Sequence, residues 1–121
     1  MSQPPPARPG NPLSASSSTV DGVRVVTLRG DLDHDARERV EEVLTPPSDT
    51  TPSRTVVDLS DVGFMDSSGI NVLIIAYKAA TAAEGWVRVA GAQVPVMRVM
   101  KMVGLDAIIP CHPTVEQALQ H

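Results

Sequence analysis

The stretch Val56-Val57-Asp58-Leu59-Ser60-Asp61-Val62-Gly63-Phe64-Met65-Asp66-Ser67-Ser68-Gly69 decides how this chain is read. It opens, from Thr55, on a short β-branched run of the kind that fills a buried strand. It closes on an aspartate followed by two hydroxyls, and an apolar helix from about Ser68 to Ala83 comes next. Such a junction places Asp66, Ser67 and Ser68 where the first backbone N–H groups of a helix lack intrahelical acceptors. The helix dipole also favours negative charge there. Two readings stand side by side. Asp66 or Ser67 is an N-cap, worth about 1 kcal/mol. Alternatively, a phosphate on Ser67 sits there without unfolding the helix.

Upstream, Leu13–Val20 is a Ser-rich strand candidate. Asp21-Gly22 signals a tight hairpin, and Val23–Leu28 alternates as a strand that Gly30 ends. Asp35, with Glu38 three residues on, predicts a capped helix with an apolar stripe of Val40, Val43 and Leu44. Pro46 and Pro47 stop it, and 48–53 is a polar loop.

Downstream, Gly85 ends the central helix and Val87–Ala90 is the next strand. Pro95 stands in the first turn of a third helix. Gly104 closes that helix, with Leu105 placed for the apolar contact beyond it. Ile108-Ile109 reads as a short last strand, and Thr114 with Gln117 opens a terminal helix. Strands alternating with helices imply an α/β fold with a mixed, mostly parallel sheet.

The periodicity also assigns the core. Ile70, Leu73, Ile74 and Tyr77 share one face of the central helix, and Val96, Val99, Met100 and Val103 share one stripe of the third. Val72, Ile75, Ala76 and Ala79 leave the central helix little polar surface. Either the fold covers both of its faces or one meets a partner.

Composition narrows the function. With 121 residues the chain has room for a single core, and with one Phe, one Tyr and one Trp that core is aliphatic. A net charge of −4 argues against a nucleic-acid binder working through a basic surface. Cys111, the only cysteine, forms no internal disulfide and suits a reducing cytoplasm. It follows an apolar run and reads as a packed residue, since a reactive thiol needs a positioned base. The first residues lack the apolar region of a signal peptide. The apolar stretch from Ile70 to Ala83 is too short to span a bilayer, so no membrane role is expected. Asp31, Asp33 and His34 read as solvent-facing loop residues beside the Asp35 cap, and no metal or cofactor is expected. Paired acid–base groups and a Gly-rich phosphate loop are missing from the pattern, so no enzyme is expected.

Three stretches, in order, give the chain from 20 to 120 a family resemblance. They are Gly30-Asp31-Leu32-Asp33, then Phe64-Met65-Asp66-Ser67-Ser68-Gly69, then Val103-Gly104-Leu105 with Thr114-Val115-Glu116-Gln117-Ala118-Leu119. The chain resembles the STAS domain of bacterial anti-sigma factor antagonists. The resemblance implies a sheet of about five strands covered by about four helices. It implies that the unphosphorylated protein binds an anti-sigma factor with serine kinase activity and thereby frees a sigma factor. Phosphorylation of the serine after the motif aspartate, Ser67 here, would block binding, and a phosphatase would restore it. Asp31, Asp33, Asp66, Ser67, Ser68, Gly69 and Asn71 would form the partner-binding surface. Asn71 departs from the glycine common among relatives, and the loop from Thr45 to Arg54 is proline-rich. STAS domains also serve as scaffold or ligand-binding subunits of stress-signalling and lipid-transport assemblies, often without an intact Asp-Ser-Ser-Gly.

Residues 1–12 carry five of the eleven prolines among small polar residues and read as a disordered lead-in to a domain over 13–121. Deleting residues 1–10 is therefore expected to leave the melting temperature nearly unchanged. A large drop in a thermal scan would show that the segment is docked.

Overall fold

In the computed structural model, residues 12–45 and 52–120 are described. Residues 1–11 of the expected lead-in, the Pro46-Pro47 stop and most of the loop before Ser53 lie outside them. The hairpin forms as its turn residues dictate. Asp21 and Gly22 take φ of 50° and 81°, the left-handed values that a two-residue turn needs, and join β1 (Ser14–Val20) to β2 (Val23–Leu32). β3 (Arg54–Met65), β4 (Trp86–Ala90) and β5 (Cys111–His112) follow. The sheet runs β1-β2-β3-β4-β5, antiparallel at β1/β2 and parallel elsewhere. It is the mixed, mostly parallel sheet that the sequence predicts.

Between the strands lie α1 (Arg37–Leu44), α2 (Ser67–Ala82), α3 (Val94–Met102) and α4 (Val115–Leu119). The larger core joins Val26, Leu28, Val57, Leu59, Val87 and Val89 of the sheet to Val40, Leu73, Ala76, Val96 and Met100 of α1–α3. The opposite face holds a smaller cluster, in which Val23, Val25, Val56 and Ala90 meet Ala118, with Trp86, Val115 and Leu119 partly buried. α2 therefore has two covered sides: Leu73 is fully buried, Val72 is 1% exposed, and α1 packs beside it. Of its large apolar residues Ile75 emerges furthest, at 40% exposure.

Two strand arginines tie helix ends to the sheet. Arg24 donates to the Val43 and Leu44 carbonyls at 2.7 and 3.0 Å, closing the C-terminus of α1. Burial lowers its pKa, but a guanidinium stays charged. Arg88 donates to Ala118 and Gln120 carbonyls, both at 2.8 Å, and stacks 3.8 Å from the Trp86 ring centre.

The structure corrects several local expectations. β2 does not end at Gly30 but pairs with β3 through Leu32, so Asp31 is a strand residue and not part of a loop. Asp33, not Asp35, is the cap: its carboxylate accepts from the Ala36 N–H at 3.1 Å and opens a 3-10 turn ahead of α1. The last strand is Cys111–His112, because Leu105–Ala107 forms a second 3-10 turn that leaves Ile109 buried and Ile108 exposed. Val103 lies beyond the last turn of α3 and is 57% exposed. Glu84, not Gly85, takes the left-handed φ of 61° at the end of α2; the Gly85 N–H closes the helix on the Ala80 carbonyl at 2.8 Å, and its missing side chain lets the chain pass against the Ser53 backbone. Gly104 takes its expected left-handed φ of 76°, Leu105 is buried beyond it, and the Thr114 hydroxyl accepts from the Gln117 N–H.

Arg24→Ala removes two charge-assisted hydrogen bonds from a half-buried site. It is expected to lower stability by about 1–2 kcal/mol after allowance for partial exposure. Urea denaturation checks this, with the midpoint moving down at unchanged slope.

Candidate functional site

The site forms where β2 and β3 end side by side and α2 begins. Leu32 stands opposite Met65 in the parallel register, so Asp33 and Asp66 are the next residues beyond each strand. The Asp66 N–H donates to the Leu32 carbonyl at 3.2 Å. Asp66 is extended (φ −112°, ψ −166°), and its Oδ1 accepts from the N–H groups of Ser68 and Gly69 at 2.8 and 3.3 Å. Asp66 is thus the N-cap, and Ser67 is not. Its carbonyl accepts the first helical bond, from Ile70, at 3.1 Å.

Ser67 is left as the first residue of α2 with its side chain exposed, and Ser68 is half-buried beside it. Gly69 is buried. A Cβ there would stand 2.8 Å from Met65 Cγ and 2.9 Å from the Leu32 carbonyl oxygen, closer than real Cβ contacts come. Glycine is required because the helix start rests directly on the end of β2. Asp31, half-buried, pairs with Phe64, and Asp33 is half-buried at its cap. Asp31, Asp33 and Asp35 all have interaction partners within the chain. Asn71 is exposed one helical turn from Ser67. The register and the Asp66–Leu32 bond thus gather the expected residues at one end of the sheet.

β3 also shows what the sequence reading left out. It is much longer than the Thr55–Asp58 run, and it carries an extra residue relative to β2 at two places. Thr27 and Arg29 pair with Asp58 and Asp61, and Gly30 and Asp31 pair with Val62 and Phe64. These bulges convert the two-residue strand period into a spacing of three, burying Leu59, Val62 and Met65. Phe64 is turned out and stands 49% exposed. The apolar spacing at 59, 62 and 65 was the available signal, but without the pairing partner it reads as a loop. The first bulge is braced on both sides. The Asp58 carboxylate accepts from the Ser60 N–H and hydroxyl, Gln93 donates to the Ser60 carbonyl at 2.8 Å, and Arg29 pairs with Asp61 at 3.4 Å.

Cys111 packs half-buried against the larger core, and its thiol donates to the Ile109 carbonyl at 3.4 Å. Burial, then Asp106, raise its pKa against the opposing effect of Lys101, so the nucleophilic thiolate is disfavoured. Among the described residues no group of three His, Cys, Asp or Glu side chains is placed to hold a metal ion. Nor is any helix among them long and apolar enough to cross a membrane.

Known proteins share this fold. The chain is 32% identical over 99 residues to an anti-sigma F factor antagonist of Paenibacillus polymyxa, covering 81% of this chain and 85% of that protein. The crystal structure of an anti-sigma factor antagonist from Mycobacterium paratuberculosis superposes with a TM-score of 0.78 at 29% identity, covering 89% of this chain and 92% of that one. The Bacillus cell fate determinant SpoIIAA in its phosphorylated form shares the fold, with a TM-score of 0.63 at 21% identity over 88% of this chain and 96% of that one. The family model of the STAS domain matches residues 14–118, and with the five-stranded mixed sheet this establishes that the chain belongs to the STAS domain family.

Proposed function

We propose that this protein is an anti-sigma factor antagonist acting in the cytoplasm through a domain over residues 13–121, with Ser67 as its phosphorylation switch. The observation that carries the reading is the exposed Ser67 hydroxyl on an aspartate-capped helix start, at the sheet end where Asp31, Asp33 and Asp66 gather. The names of the Paenibacillus and Mycobacterium relatives support it. In its unphosphorylated form the protein binds an anti-sigma factor with serine kinase activity through Asp31, Asp33, Asp66, Ser67, Ser68, Gly69 and Asn71, and a sigma factor is freed. The kinase phosphorylates Ser67 and a phosphatase removes the phosphate. The protein itself regulates and does not catalyse.

The cap geometry explains why phosphate acts at the surface. The Ser68 and Gly69 N–H groups are already taken by the Asp66 carboxylate. A phosphate on Ser67 competes with that carboxylate for donors and has little reason to fold inward. It adds a charge of about −1.5 to −2 at pH 7 to a surface already carrying carboxylates. A partner shaped for a neutral hydroxyl then meets a strongly hydrated dianion. A penalty of roughly 3 kcal/mol weakens binding more than a hundredfold.

The expected outcome is modification of Ser67 and not of the half-buried Ser68 when the protein is incubated with ATP and its kinase. Peptide mapping by mass spectrometry decides it, and modification confined to Ser68 overturns the assignment. Ser67→Ala is expected to keep partner binding and escape inhibition, while Ser67→Asp binds weakly with its fold intact. Calorimetry and circular dichroism on the same samples check both. Loss of the α2 signal on phosphorylation, or unchanged affinity, overturns the surface mechanism.

A further inference from the structure

We infer that Phe64 is the apolar anchor of the partner surface. The inference rests on the partner-binding reading of the Ser67 end.

The two bulges of β3 cancel in phase: Leu59, Met65 and the outward Phe64 keep the faces that a regular strand would give them, and only Val62 is moved, into the core. Here the second one, at Gly63, separates two residues that a regular strand would put on one face. Val62 is fully buried in the larger core, while Phe64 is 49% exposed. The chain has a single phenylalanine, and the buried residues of its core clusters are aliphatic. Space does not explain the glycine, since a Cβ at Gly63 would meet nothing within 4 Å. A phenyl ring left half in water forgoes stabilisation that burial would supply, and an aromatic ring offers a partner large contact area at small entropic cost. Phe64 also stands beside the proposed switch. Its register partner is Asp31, and Met65 and Asp66 alone separate it from Ser67. Apolar contact ringed by polar groups is the usual build of a protein interface. The matching partner surface is an apolar cleft that accepts one aromatic ring next to a site that reads a serine hydroxyl. Phe64 supplies affinity, and Ser67 decides whether that affinity is available.

The test uses the full chain and the serine-kinase anti-sigma factors of the source organism, purified one at a time. Phe64→Ala is expected to weaken binding of the unphosphorylated protein roughly thirtyfold, the scale of an interface anchor. Its melting temperature should fall only slightly, since the ring is half exposed and lies outside both core clusters. Phe64→Leu, which keeps apolar bulk and guards against a folding artefact, should fall between the two, and Phe64→Tyr should restore most of the affinity. In the kinase assay Phe64→Ala should raise KM for phosphorylation of Ser67 and leave kcat unchanged, because the ring docks the substrate and does not touch the transferred phosphate. Unchanged affinity of Phe64→Ala, with Ser67→Asp still impaired, overturns the anchor and leaves the switch standing. A fall in kcat at unchanged KM, or an affinity loss that merely follows a lowered melting temperature, also overturns it. If the parent protein binds none of these anti-sigma factors, the switch and the anchor fall together.

Discussion

The seating of the α2 N-terminus on the end of β2 is the constraint from which the site follows. The Leu32 carbonyl accepts from the Asp66 N–H at 3.2 Å, and Gly69 approaches the same carbonyl so closely that no side chain fits between them. One peptide group of β2 thus fixes both the exit of β3 and the entry of α2. Because β2 and β3 are parallel, their C-terminal ends lie together, and the two aspartates just beyond them lie together as a result. Ser67 is held at a defined place because its neighbours have no freedom: Asp66 is committed to the cap and Gly69 to the contact.

β3 reconciles two demands on one strand. Its first half is buried on both faces, with Val56 and Val57 in different core clusters. Its second half must still cover the core with Leu59, Val62 and Met65 while delivering Phe64 and Asp66 to the surface. A regular strand cannot do this, since its side chains alternate strictly. Two inserted residues relative to β2 achieve it, and hydrogen bonds from Ser60 to Asp58 and from Gln93 to Ser60 hold the first of these irregularities in place. The sheet's two faces are covered unequally, the smaller cluster by the five-residue α4. Arg88 offsets the shortness of that helix by donating to the Ala118 and Gln120 carbonyls at its C-terminal end, much as Arg24 donates at the end of α1.

The Asp66 cap also shapes any charge switch at this site. Helix N-termini attract phosphate because their N–H groups are unsatisfied. Here a carboxylate already satisfies two of them, so a neighbouring phosphate finds a helix end whose dipole is partly neutralised. A phosphate added there would act electrostatically and from outside, with no need for the fold to respond.

What the sequence determined by itself was local. The Asp21-Gly22 hairpin, the Gly104 helix end with Leu105 behind it, the Thr114 cap and the long apolar α2 were legible because each rests on a φ requirement or a period within a few residues. The helix start after Met65 was legible for the same reason, with Asp66 and Ser67 both open as its cap. Tertiary structure decided the rest. Whether Asp33 or Asp35 caps the turn before α1 depends on where β2 stops, and β2 runs on to Leu32 because β3 is there to pair with it. The spacing of Leu59, Val62 and Met65 becomes a strand only against a partner offset by two residues. Cys111-His112 is a strand because it lies along β4, and Val103 is exposed because α3 ends just short of it. That Phe64 faces outward beside Asp31 is likewise a fact of register. Pairing between strands far apart in the chain is not written in the period of either one, so these placements exist only once the sheet has formed.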